Sequence, residues 1–389
     1  MTYIQVPENA FIYLDNLKAK HANLSNLISE IQGELNLKLW HQLSGHMIEL
    51  TSDKNLQNSS ELVDLYNNVI KSVETSFNPM KLMTILKNII KNFSNKLQDA
   101  IVFLNDINKR LKLKEGEELL FMDCLKAECL LGLNRLYECE DVLKSIKVSL
   151  EKYFDVDHIV YAYFYKLFAY YYEKKENYDE FYNYALQFFA YCKDNSITQE
   201  EKLNICYKMA VASLIGEKMY NFTELVEKDF FKVLIGGDKE WIYHLVLSLD
   251  SGNVSQYYQL LDNYSSKINN DNILNNKLNF LKLKIKISSL LNLIFQKNKN
   301  ERTFSYIEIS QNCDCDFDDV ELLAIKALSL GLIKGHIDEI EKKLVVTWVQ
   351  PKFLDREKLG VLVDRFDNWI RKANEVLFDY ENQTKELFN

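Results

Sequence analysis

The sequence predicts a mostly α protein: a solenoid of helical hairpins, then an α/β winged-helix module, then a long C-terminal helix. Three observations predict it. Only three prolines and 11 glycines interrupt 389 residues, too few breakers for many short strands or loosely linked domains. The first helices of successive pairs recur at offsets of about 39 to 43 residues, the spacing of helix–turn–helix repeats. Beyond residue 300 the helical period gives way to two short runs with strand character, which fits a wing.

In chain order, Leu39, Trp40, Leu43, Met47 and Leu50 recur at three- and four-residue intervals, the period of a helix. Leu62, Leu65, Tyr66 and Ile70 repeat that period. Leu82, Ile85, Ile89 and Phe93 continue it behind Pro79, whose missing N–H needs no partner in a first helical turn. These helices form an N-terminal region over 1–115.

Over 116–300, first helices are expected to begin near Glu118, His158, Glu201 and Glu240. The pair at 158–192 is clearest. Ile159, Tyr163, Leu167, Tyr170 and Tyr171 mark its first helix, a polar turn follows at 175–177, and Phe181, Ala185, Phe188 and Phe189 mark its second. Equivalent turns are expected near Tyr137, near Asn221 and at Ser251-Gly252-Asn253. Each pair has an apolar surface that only stacking can cover. Aromatic residues from Tyr161 to Tyr172 surround most of their helix, which suits either a helix buried between neighbours or an aromatic peptide-binding groove. Residues 271–296 read as one long helix, with Lys282, Lys284 and Lys286 on a solvated surface.

The polar run 296–300 is the expected boundary before a winged-helix module at 301–354. Its parts are a helix at 304–310, an acidic connector at 313–319, a helix at 320–332, and strands at 332–338 and 344–349. A last helix is expected from Asp355 to about Glu386, within a segment 355–389. Leu359, Leu362, Phe366, Trp369, Ala373, Val376 and Tyr380 alternate steps of three and four along it, the seam of a bundle helix. Such a seam either closes over the winged helix as a lid or meets helices of another subunit.

Composition narrows the function. Aromatic residues reach 13% and hydrophobic ones 47%, so the chain folds rather than staying disordered. A net charge of −9 disfavours nucleic acid and anionic membranes. Seven irregularly spaced cysteines suit a reduced, intracellular protein. The N-terminus lacks the pattern of a secretory signal, and no window approaches eighteen continuous apolar residues, so a membrane span is not expected.

A search for chemistry yields little. The six histidines form no HExxH motif, and the spacing of His41 and His46 suits two ligands on one helix face poorly. Cys313-Asp314-Cys315 lacks the second cysteine pair of a structural zinc site. Gly236-Gly237 lacks the Lys-Ser or Lys-Thr of a phosphate loop and reads as a helix terminator, and there is no GxSxG elbow. No enzyme activity, metal or cofactor is expected. The winged helix raises the question of DNA, but residues 301–354 hold ten acidic and six basic residues. Asp314, Asp316, Asp318 and Asp319 precede the candidate recognition helix and Glu321 lies in it, opposing the phosphate contacts that carry DNA affinity. A protein-facing role is the expectation.

This ordered combination resembles the PCI-domain non-ATPase subunits of the 26S proteasome regulatory-particle lid. The likeness is most specific at 304–309, at 319–335 and from 337 through Trp348-Val349-Gln350-Pro351. Lys38-Leu39-Trp40-His41-Gln42-Leu43 and Ser251-Gly252-Asn253-Val254 support it more weakly. The resemblance implies a non-catalytic scaffold subunit in a hetero-oligomer, found in cytoplasm and nucleus, that supports ubiquitin-dependent degradation. Its implied partners are other PCI subunits and the deubiquitinase-containing pair of the lid. It also implies that winged helices join edge to edge with Leu344, Val346 and Trp348 near the shared sheet. Leu359, Leu362, Phe366, Trp369, Ala373, Val376 and Tyr380 would then face a helix bundle. PCI subunits of the signalosome and of translation initiation factor three are the alternatives.

Overall fold

The computed structural model describes residues 8–53, 56, 61–93, 96–113, 116–153, 156–192, 197–297, 301–352 and 356–385. The N-terminal residues 1–7, the junctions at 114–115 and 353–355, the boundary run at 298–300 and the end at 386–389 lie outside them. Contacts divide the chain into two units, Met1–Asp194 and Asn195–Asn389.

One turn design recurs in the helical hairpins. Four helices end on a left-handed residue before the chain turns back, at Lys38, Asn134, Glu176 and Gly252. The next residue donates its N–H back across the helix end: Leu39 to Glu34 (3.0 Å), Arg135 to Leu130 (3.0 Å), Asn177 to Tyr172 (3.0 Å) and Asn253 to Ser248 (3.2 Å). This satisfies carbonyls the helix leaves open and reverses the chain in a few residues. Asn177 and Asn253 then cap the second helix, accepting from the N–H groups of Glu180 and Gln256. Glycine is required at only one of these turns. A Cβ at Gly252 would lie 2.5 Å from Asn292 Nδ2 and 2.9 Å from Ser289 Cα, so the hairpin tip rests directly on a neighbouring helix.

In the first unit, helices Trp40–Ser52, Pro79–Ile90, Glu117–Gly132, Leu136–Leu150, His158–Lys174 and Tyr178–Tyr191 stack around a continuous core that includes Leu43, Met47, Ile85, Ile89, Phe121 and Phe164. A π-helical turn at Tyr66–Ile70 interrupts the helix that begins at Glu61. There the buried Tyr66 hydroxyl donates to Glu74 (2.5 Å) and accepts from Arg110 (2.8 Å), which satisfies polar groups the core would otherwise strand.

In the second unit, first helices begin at Gln199 and Glu240. The expected turn near Asn221 does not open a regular second helix. Residues 217–239 instead carry short turns at Thr223–Val226 and Phe231–Leu234 and the left-handed Gly236, and they pack by burying Phe222, Leu225, Phe231 and Leu234. The single helix expected at 271–296 is broken into Asn272–Asn275 and Leu278–Gln296. Asp271 caps the first piece while accepting from the Tyr207 hydroxyl (2.6 Å), which pins that end to helix Gln199–Ile215.

Of the three lysines read as solvated, Lys282 is exposed and Lys286 half-buried, but Lys284 is not. It is fully buried, and its ammonium donates to the carbonyls of Ser213 (2.7 Å), Leu214 (3.1 Å) and Gly216 (2.6 Å). A lysine from one helix thus closes the C-terminus of an earlier one, where carbonyls lack intrahelical partners and the helix dipole favours a cation. Lys174 does the same for helix Glu117–Gly132 through Leu131 O (2.5 Å).

The winged helix follows. Strand β1 (Thr303–Ser305) leads into helix Tyr306–Cys313, then helix Asp319–Ser329, strand β2 (Ile333–Asp338) and strand β3 (Lys343–Val349). The sheet is antiparallel in the order β1-β3-β2. The expected helix at 304–310 begins late because Phe304 pairs with Leu344 in the sheet and Ser305 caps the helix, accepting from Glu308 N–H (3.2 Å). The module shares its core with helix Leu278–Gln296: Leu290, Leu291 and Ile294 join Phe304, Ile309, Leu323, Ala327, Leu344 and Val346.

Candidate interaction site

β3 is the central strand, so both of its edges are hydrogen-bonded. An open edge suitable for joining another sheet belongs to β2, which pairs only with β3. Leu344 and Val346, expected near a shared sheet, point into the module's own core. Trp348 should follow them inward by alternation, yet it is 40% exposed. The cause is a bulge. The register shifts between Lys334 and Gly335, so that Lys334 faces Trp348 while Gly335 faces Val346. Thr347 is the extra residue, and the inside–outside phase reverses after it. Val349 therefore turns inward and Trp348 outward, its ring under the Lys334 ammonium at 5.1 Å. Gly335 makes the bulge possible, since a Cβ there would lie 2.0 Å from Val345 O. A glycine inside a strand pattern was the available sequence signal.

The last helix, Arg356–Lys385, presents the other expected surface. Leu359, Leu362, Phe366, Trp369, Ala373, Val376 and Tyr380 follow a heptad repeat on one stripe, widened by Val363, Ile370 and Leu377. Asp364, Arg365, Asp367, Arg371, Lys372 and Glu375 lie away from it. Every described side chain from Leu359 to Tyr380 is exposed, with Trp369 at 70%. The lid reading is therefore not what the structure adopts: no described part of this seam is covered by the winged helix.

The aromatic helix His158–Lys174 is divided. Tyr163, Phe164, Phe168 and Tyr171 are buried, while Tyr161, Tyr165 and Tyr172 are partly covered and stack within the hairpin. Tyr161 and Tyr165 lie against Tyr191 (5.1 and 5.4 Å), and Tyr172 against Tyr184 (5.4 Å). These rings close the hairpin more than they line a groove.

Among the described residues, no group of three or more His, Cys, Asp or Glu side chains is placed to hold a metal ion. Burial pushes the Cys313 thiol up to about 12 and raises that of Cys315, so both remain protonated and are poor thiolate ligands. His46 is engaged by Glu34 (2.9 Å) and Glu30 (3.7 Å); the hydrogen bond it donates to the Glu34 carboxylate raises its pKa. No helix among the described residues is long and apolar enough to cross a membrane.

Comparison with known proteins agrees with this architecture. Residues 27–246 match the family described as PSD13 N-terminal repeats, and residues 261–348 match the PCI domain. The chain is 29% identical to the 26S proteasome non-ATPase regulatory subunit 13 of Dictyostelium discoideum, covering 96% of this chain and 97% of that protein. It is 29% identical to homolog A of that subunit from Arabidopsis thaliana, covering 97% and 99%. Identity to the 26S proteasome regulatory subunit RPN9 of Saccharomyces cerevisiae is 26%, covering 85% and 86%. A likeness to subunit M of eukaryotic translation initiation factor 3 from Nematostella vectensis, at 23%, spans only 33% of this chain. With its repeat match covering more than half the sequence and its PCI match ending in the winged helix, the chain belongs to the family of 26S proteasome non-ATPase regulatory subunit 13 and RPN9.

Proposed function

We propose that this chain is a non-catalytic structural subunit of the proteasome lid, supporting ubiquitin-dependent degradation through protein–protein contacts in cytoplasm and nucleus. Family membership over nearly the full length names the assembly. The observation that carries the mode of action is the final helix, whose heptad stripe is exposed throughout its described length. A single helix with such a stripe is completed by other helices. Other PCI subunits are the proposed partners at this stripe and at the β2 edge. The deubiquitinase-containing pair is a further proposed neighbour.

The test is native mass spectrometry of complexes purified on the tagged chain. Lid subunits at near-equal stoichiometry support the reading. Recovery with translation initiation factors or signalosome subunits alone would replace it.

A further inference from the structure

Helix Asp319–Ser329 holds the place of the recognition helix in DNA-binding winged helices. Its outward side carries two large apolar residues beside Lys326 and Ser329. Leu322 is 65% exposed and Ile325 is 47% exposed, three residues apart on one face. The chain enters this helix through Phe317, 42% exposed, whose ring lies 5.7 Å from that of Tyr306. Single exposed apolar residues are ordinary, but Leu322 and Ile325 on successive turns, with Phe317 in the turn that enters the helix, form a ridge.

The charges around this ridge are mostly negative, with Lys326 the one basic residue of the helix. Asp314, Asp316, Asp318, Asp319 and Glu321 form no ion pair among the described residues. Elsewhere in the module carboxylates do find lysines, as in Glu341 with Lys343 (2.6 Å) and Glu308 with Lys297 (2.7 Å). Tyr306, only 2% exposed, keeps a buried hydroxyl without a hydrogen-bond partner, and its pKa is raised by burial and then by Glu321, Glu339 and Asp338. The surface therefore offers helical ridge packing within a negative field.

We propose that the Phe317–Leu322–Ile325 ridge docks a basic amphipathic helix of a partner polypeptide, with apolar residues at i, i+3 and i+4 flanked by lysine or arginine. A helix is favoured because the surface is itself a helical ridge with no open strand edge. A basic one is favoured because the five carboxylates gain partners on binding. Nucleic acid would meet those carboxylates with phosphates. The chain's own final helix carries both signs of charge off its stripe, Asp364 and Glu375 with Arg365 and Lys372, and lacks the required complement. The inference rests on the fold of the module and not on lid membership.

The test uses the purified full chain and fluorescence anisotropy of a synthetic leucine–lysine helix about five turns long. The same peptide with glutamate for lysine is the charge control. The lysine peptide is expected to bind at least about tenfold more tightly than the glutamate peptide, and the pair Leu322→Ser with Ile325→Ser to weaken it by about tenfold or more. Asp316→Asn with Asp318→Asn should weaken it and flatten its salt dependence. Since the final helix also exposes an apolar stripe, Phe366→Ser with Trp369→Ser must leave the part lost on changing Leu322 and Ile325 intact. Both altered ridge residues are exposed, so circular dichroism should be unchanged. Unchanged affinity in the ridge variant, or equal binding of both peptides, overturns the proposal. So does sedimentation showing that the chain dimerises through this ridge, which would make a second copy the occupant.

Discussion

Replacing Lys284 by methionine tests how the second unit holds its last repeat. Methionine keeps most of the side-chain volume and can place its thioether near the rings of Tyr220, Phe222 and Phe280, which now surround the ammonium at 5.2 to 5.6 Å. The carbonyls of Ser213, Leu214 and Gly216 lose a charged donor at 2.6 to 3.1 Å. A hydrogen bond to a charged group contributes about 1.5–3 kcal/mol net, and a buried carbonyl left alone costs about 1–3 kcal/mol. The three bonds share one ammonium, and its desolvation, several kcal/mol, is recovered on substitution, so the terms do not add. The expected loss is about 2–4 kcal/mol. With an m-value of about 2 kcal/mol per molar, the urea midpoint of this unit should fall by about 1–2 M. Since a chain of two units need not unfold in one step, hydrogen exchange over residues 199–216 is the sharper assay, and protection should fall there first. Stability within about 0.5 kcal/mol of the parent, or higher, would mean that dehydrating the ammonium outweighs its bonds.

Three further outcomes follow from particular contacts. Trp369→Ala removes a side chain that is 70% exposed in the free chain, so thermal stability should hold while incorporation into the complex weakens by about 2 kcal/mol; equal incorporation in a competition assay would count against the seam. Gly335→Ala places a Cβ against Val345 O and should destabilise the wing by about 1–3 kcal/mol, seen as faster exchange across β2 and β3; a neutral substitution would contradict the bulge. His46 has a raised folded pKa, so its contribution is full below its unfolded pKa of about 6.5 and is lost as pH rises through the folded value. His46→Ala should therefore cost more at about pH 5.5 than at about pH 8.5, and equal costs in thermal melts would contradict the Glu34 pairing.

The long periodic helices were legible because burial on one face leaves a 3.6-residue mark, and helices do start at Glu117, His158 and Glu240 as the pattern required. The final helix was legible from the same three- and four-residue spacing, although its stripe is exposed and its partner choice was not legible. Features set by tertiary contact left weaker marks. Lys284 lies in an alternating lysine–apolar run that reads as solvated, and only the carbonyl ends of another helix explain its burial. β1 spans three residues and carries too little alternation to announce a strand. At the candidate surface, the resemblance put Leu344, Val346 and Trp348 near a shared sheet, whereas one extra residue at Thr347 sends Trp348 outward and leaves the other two in the core. The ridge at Leu322 and Ile325 was hidden because exposed and buried leucines look alike until the helix is packed.

Scaffolding within the lid is proposed to run through the final helix. It is tested most directly by supplying cells with a chain that ends at residue 352 in place of the full-length one, and counting lid subunits by native mass spectrometry. The prediction is a truncated chain that folds, retains its helical signal in both units, and is depleted from assembled lids. Full occupancy of lids by the shortened chain would contradict it.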